Sequence, residues 1–209
     1  MSAASQASQP SQPRVRMEAE ARKDLIKATA REVFADTGYA ASGLAEIAKR
    51  AGVDKRLIYY YYPDGRSELF TAVMADVTAE LTTVIHTAVS APVNTARRIE
   101  RLVTALVGFF EEQPDAFSLL FRDPFGVREH EIVHEAVVVQ AELAREFSRL
   151  FATSGVPTLT LVAVTSGTVS YVMKVIEMAV GGEIDRETAL DASMTCILGV
   201  LTQIGMQSS

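Results

Sequence analysis

At 209 residues, 48% hydrophobic and 22% charged, the chain is long enough for one large globular domain or two modest ones with a buried core. The composition argues against membrane and secreted classes: no apolar run approaches the roughly 18 residues that span a bilayer. The start has no apolar signal segment, and the lone Cys196 excludes an internal disulfide and fits a reducing cytoplasm. The net charge of −6 hides an asymmetry: residues 1–66 carry 11 Lys/Arg against 8 Asp/Glu and the remainder 9 against 18, a basic head on an acidic body.

Residues 1–13 are low-complexity Ser, Ala, Gln and Pro and are expected to be a disordered tail. Arg14 and Arg16 stand just before the first predicted helix, 18–36, whose apolar face is Leu25, Ile26, Ala30, Val33 and Phe34 and which Gly38 closes. Ser42 is the expected N-cap of a short helix over 44–51, ended by Gly52, and Asp54 that of a third helix beginning at Lys55. Pro63-Asp64-Gly65 breaks the chain before a long helix over 67–90. Further helices are expected at 94–112, 114–121, 127–151, 157–180 and 185–207, with a turn at Gly181-Gly182 and a cap at Asp185. No stretch alternates as a strand would, so the fold class is all-α, with about nine helices: a head over 14–66 and a larger helical body over 67–209.

Two short helices joined by a tight Gly-containing turn and packed on a first helix make a helix-turn-helix. Winding residues 55–62 at about 100° per residue puts Lys55, Arg56, Tyr59 and Tyr60 on one arc, with Leu57, Ile58 and Tyr61 opposite. The polar arc has the chemistry for DNA: cations for guanine edges or phosphates, phenols for phosphates and thymine methyls. An aromatic core is the competing reading of Tyr59 to Tyr62, but four consecutive helical residues cannot all point inward.

The stretch from Arg22 to Phe70 resembles the DNA-binding domain of the TetR family of bacterial regulators. The resemblance is carried by Leu25-Ile26, Ala28, Val33-Phe34, Gly38-Tyr39, Ser42, Ile47-Ala48, Ala51-Gly52-Val53, Ile58-Tyr59, Tyr61-Tyr62 and Leu69. It implies that Lys55, Arg56 and Tyr59 meet base edges, that Ser42, Tyr60 and Tyr61 lie on or near phosphates, and that Tyr62 packs. Where family members often begin the fourth helix with a phosphate-binding Lys, the turn here looks one residue longer, and Arg66 is the expected substitute. Tyr61 is left between two readings, since geometry turns it inward. Arg14 and Arg16 are candidates for a minor-groove arm, or else part of a solvated tail.

His130-Glu131-Ile132-Val133-His134 satisfies H-E-x-x-H, so a zinc-dependent hydrolase is the alternative function. A third ligand is missing: no histidine follows His134, and no Asp or Glu occurs from Phe147 to Ile176. The chain is therefore read as a non-enzyme without metal or cofactor, and an effector role is kept open for His130 and His134. The body is expected to bind a small hydrophobic or aromatic effector through Phe109, Phe110, Phe117, Phe121, Tyr171 and Met173, though each is individually more at home in a core. Small residues at helical spacing mark a dimer face: Gly167 and Ser170 on one helix, with Lys174 on the same face, and Ala192, Thr195, Gly199 and Thr202 on the next. The resemblance implies dimerisation through these helices. Together these features describe a cytoplasmic homodimeric repressor of a palindromic operator, with no membrane partner.

Overall fold

Helical periodicity accounts for every regular element of the computed structural model, which describes residues 12–122 and 158–203. The head contains α1 (Gln12–Ala41), α2 (Leu44–Ala51) and α3 (Lys55–Tyr61). The body follows with α4 (Arg66–Val89), α5 (Thr95–Glu112) and α6 (Pro114–Phe117), the last continued by a π-helical turn over Ser118–Arg122. Then come α7 (Thr158–Val180) and α8 (Arg186–Gln203). The helix expected at 127–151 lies outside the described residues, as do residues 1–11 and 204–209.

Several boundaries follow from local chemistry. Asp54 Oδ1 accepts from Arg56 N at 2.7 Å, Asn94 Oδ1 from Arg97 N at 2.9 Å and Asp185 Oδ1 from Thr188 N at 2.8 Å, so α3, α5 and α8 each start on a side-chain cap. Gly52 closes α2 with φ 65° and ψ 30°, a left-handed conformation that a Cβ disfavours. It donates to Lys49 O while Val53 N reaches back to Ala48 O at 3.0 Å, the paired bonds of a Schellman ending.

Two expectations need correction. α1 begins at Gln12, not at 18, and so takes in Pro13 from the presumed tail together with Arg14 and Arg16. A proline in the first turn loses no intrahelical bond, and Arg, Met, Glu and Ala in 14–22 are strong helix formers, which outweighs the low-complexity lead-in. Ser42 does not cap α2. Gly43 holds that position, and the Ser42 hydroxyl is buried, bonded to Gly38 O at 2.5 Å and paired with Thr37 Oγ1 at 2.8 Å. Gly38, at φ 74° and ψ 161°, breaks the α1 ladder as expected, although one more helical turn runs on to Ala41.

Ile26, Ala30, Val33 and Phe34 of α1 are buried as their spacing requires, while Leu25 is 48% exposed. Ile47 and Ile58 seal α2 and α3 against this face. The core of the head does not stop at residue 66, because Phe70 of α4 packs edge-on against Phe34 and Tyr39, each at 4.9 Å between centroids. From there Val77, Leu81 and Ile85 carry the same helix into the body, against Ile99, Leu102 and Leu106 of α5. Among the described residues α4 alone is long and apolar enough to cross a membrane, but these apolar side chains are core. Val172 and Ile176 of α7 and Ile197 and Leu201 of α8 complete it.

Candidate nucleic-acid interface

The third helix has one face in the core and one in solvent. Ile58 is fully buried and Leu57 and Tyr61 are half-buried, whereas Lys55, Arg56, Tyr59 and Tyr60 are all exposed, Tyr60 to 76%. The outward arc is therefore the one that winding at 100° per residue gives. Lys55 Nζ sits 5.7 Å from the Tyr59 ring centroid, which places a cation and a phenol on one patch. Neither Lys55 nor Arg56 forms an ion pair among the described residues, so both side-chain charges face outward uncompensated. The nearby Arg50 is different, being held between Glu46 at 2.9 Å and Asp36 at 3.0 Å.

Tyr61 contacts Tyr60 edge-on at 5.1 Å while its other side packs on the core, so its ring belongs to both surfaces. Tyr62 is structural: it is buried, and its hydroxyl has no hydrogen-bond partner among the described residues. Burial, reinforced by Asp24, Asp76 and Glu68, pushes that hydroxyl up to about 12. Gly65 closes the turn after Tyr62 at φ 71° and ψ −125°, open only to glycine, and a Cβ there would stand 3.0 Å from Tyr59 Cε1. The Tyr59 ring thus rests directly on the start of α4.

Two expected phosphate ligands are otherwise engaged. Ser42 is only 3% exposed, with its hydroxyl turned into the end of α1. Arg66 donates to Ser42 O at 2.9 Å and Tyr39 O at 3.3 Å, and its guanidinium lies 4.2 Å over the Tyr39 ring. It therefore holds the end of α1 to the start of α4, satisfying carbonyls that the helix leaves open. The backbone of Arg14 and Arg16 is helical, within α1.

Arg31, which the sequence did not single out, joins head to body. Its guanidinium bonds Asp115 and Gln113 beside α6 and Glu80 on α4. One turn earlier Lys27 meets Asp76 at 2.6 Å, so two cations four residues apart on α1 face two carboxylates four apart on α4. The i,i+4 pairs Lys27/Arg31 and Asp76/Glu80 were the available signal.

In the body, Phe109, Phe110 and Phe117 are buried, and Phe110 makes edge-to-face contacts with Phe117 at 5.3 Å and Phe121 at 5.7 Å. Met173 is buried, while Tyr171 is 43% exposed on α7. None of these six lines the cavity of about 630 Å³ between α4 and α5. His130, Glu131 and His134 lie outside the described residues. Gly167, Ser170 and Lys174 on α7 and Thr195, Gly199 and Thr202 on α8 are exposed; Ala192 is half-buried. Val162, Tyr171 and Leu198 add exposed apolar area to the same two helices.

Residues 26–73, which span the head and the first turns of α4, match the model for bacterial regulatory proteins of the tetR family. The HTH-type transcriptional activator FasR of Mycolicibacterium smegmatis is 28% identical over 131 residues, covering 63% of this chain and 57% of FasR. The nucleoid occlusion factor SlmA of Pasteurella multocida is 25% identical over 131 residues, covering 63% and 62%. The chain thus spans about three-fifths of the length of these relatives. The fold is shared with a TetR-like transcriptional regulator from Rhodococcus sp. RHA1, at TM-score 0.76 and 20% identity over 87% of this chain and 96% of that one. It is also shared with the fatty acid degradation regulator FadR of Bacillus halodurans, at TM-score 0.67 and 15% identity over 84% and 97%. Residues 26–73 thus carry the DNA-binding domain of the tetR family of bacterial regulatory proteins, and the described helices share the fold of TetR-like regulators.

Proposed function

We infer that the chain is a homodimeric transcription repressor of the cytoplasm, which reads a palindromic operator through α3 and leaves it when a small apolar molecule binds the body. The observation that carries this reading is the two-faced third helix. Lys55, Arg56, Tyr59 and Tyr60 have no role in the core, and they form a cationic, aromatic strip on a helix short enough to enter a major groove. Tyr61 flanks the strip, placed to touch the backbone beside it. Arg14 and Arg16, at the start of α1, are the candidates for contacts outside the major groove. Ser42 and Arg66 act one step back, fixing the joint on which α3 is mounted. The exposed faces of α7 and α8 supply the two-fold contact that a palindrome requires. FasR is named an activator; the direction of control here is read by a reporter fused to the target promoter.

Fluorescence anisotropy with DNA from upstream of the chain's own coding sequence tests the reading. Lys55→Ala and Arg56→Ala should each weaken specific binding by about 1–3 kcal/mol, roughly fivefold to 150-fold, with unchanged circular dichroism. Absence of any salt-dependent DNA binding by the wild-type chain would overturn it. The zinc-hydrolase alternative is not retained, because the family is one of regulators and not of enzymes.

A further inference from the structure

The cleft of about 630 Å³ along the seam of α4 and α5 has the volume of a site for a drug-sized molecule. Val84, Ala88, Val93 and Ala105 form its apolar floor. Thr83 and Thr87 on its α4 wall donate their hydroxyls to Ala79 O and Thr83 O, each at 2.8 Å. Their polarity is spent on the helix backbone, and the wall is more apolar than its composition implies.

The charges of the rim are unequal. Arg97 pairs with Glu100 at 3.0 Å, which neutralises the one carboxylate that lines the cleft. Arg101 uses Nε to bond Ala88 O at 3.3 Å, which anchors its guanidinium beside the floor. Its terminal nitrogens have no hydrogen-bond partner among the described residues. A guanidinium fixed by one nitrogen, with its others open, presents a fork suited to a carboxylate. A cationic ligand would find no free anion here, and a neutral one would leave the fork unused.

We propose that the α4/α5 cleft binds an apolar carboxylate, with its hydrocarbon or aryl body along Val84, Ala88 and Ala105 and its carboxylate on Arg101. The proposal rests on the effector reading above, and gives it a location and a ligand class that the Phe110 cluster does not supply. The occupied wall, α4, is the helix whose first residue, Arg66, is bonded to the head, so site and DNA-reading surface share one element.

Isothermal titration calorimetry of the full chain with decanoate tests the assignment, with decanol and decyltrimethylammonium as neutral and cationic counterparts. Decanoate should bind saturably and about tenfold more tightly than either, the worth of one charge-assisted contact. Arg101→Gln should remove that advantage while leaving decanol unchanged. Thr87→Trp, on the exposed wall, should fill the cleft and abolish binding, with circular dichroism confirming that both variants are folded. No decanoate binding by the wild type, or equal binding by Thr87→Trp, would overturn the proposal. A Thr87→Trp variant that loses its oligomeric state in a chain that binds no decanoate would reassign the cleft to a second copy. DNA binding without ligand, measured in parallel, separates the two readings. DNA binding without a decanoate site overturns only the cleft, and a decanoate site without DNA binding overturns only the regulator.

Discussion

The Tyr62 hydroxyl stands in the interior of the head with no hydrogen-bond partner among the described residues, while the ring around it fills the joint below α3. A buried hydroxyl without a partner keeps the cost of leaving water and gains nothing in return. Tyr62→Phe retains the packing and removes that cost, so stability should hold or rise by up to about 1 kcal/mol in urea unfolding near neutral pH. The ionisation gives a second readout. The proton is held to about pH 12 in the folded chain against the ordinary 10.0. Below 10.0 both states keep it; between 10.0 and about 12 the unfolded chain releases it first and the balance shifts toward unfolding. Wild-type stability should therefore fall across that window more steeply than that of Tyr62→Phe, and parallel slopes would contradict the assignment. That Tyr60 faces outward was legible from winding, whereas the packing of Tyr62 came only from the resemblance, because winding leaves it beside Lys55. That the Tyr62 hydroxyl goes unpaired was not legible, since this depends on which elements return to cover it.

At the scale of elements, α1 and the body are held by charge as well as by Phe34 and Phe70. The Arg31 guanidinium is only about one-fifth exposed, and its partners are Glu80 on α4, Asp115 in α6 and Gln113 just before α6. Replacing it with Gln should cost about 1–2 kcal/mol, more than an ordinary surface pair, because several acceptors lose one donor together. A double-mutant cycle with Asp115→Asn measures the shared part, and additive effects would show that the two side chains are not coupled. The contrast with the caps is instructive. Asp54, Asn94 and Asp185 bond groups two or three positions away, so their roles stand in the local sequence. Arg31 meets residues 49, 82 and 84 positions away and Arg66 reaches back 24 and 27, so both read as surface cations until the fold brings their partners home. Ser42 was misplaced for the same reason: its hydroxyl answers the end of the helix before it instead of the start of the one after.

For the molecule as a whole, the helical class was legible, because periodicity is summed over many residues. The cleft between α4 and α5 was not, because its lining comes from two helices and the segment between them, and no single helix carries its pattern. The proposed two-fold contact is testable through Gly199, where a Cβ would meet nothing within 4 Å in the single chain. Gly199→Trp should leave the fold of each chain intact and shift the assembly toward monomer by sedimentation equilibrium, with a parallel loss of affinity for a full palindrome. A variant that stays dimeric would place the contact elsewhere. The seating of Tyr59 on Gly65 has its own consequence at this scale. With no side chain between them, ring and backbone move together, and the reading surface inherits each displacement of the α4 stem undamped. The missing methyl at residue 65 makes the joint a bearing without slack.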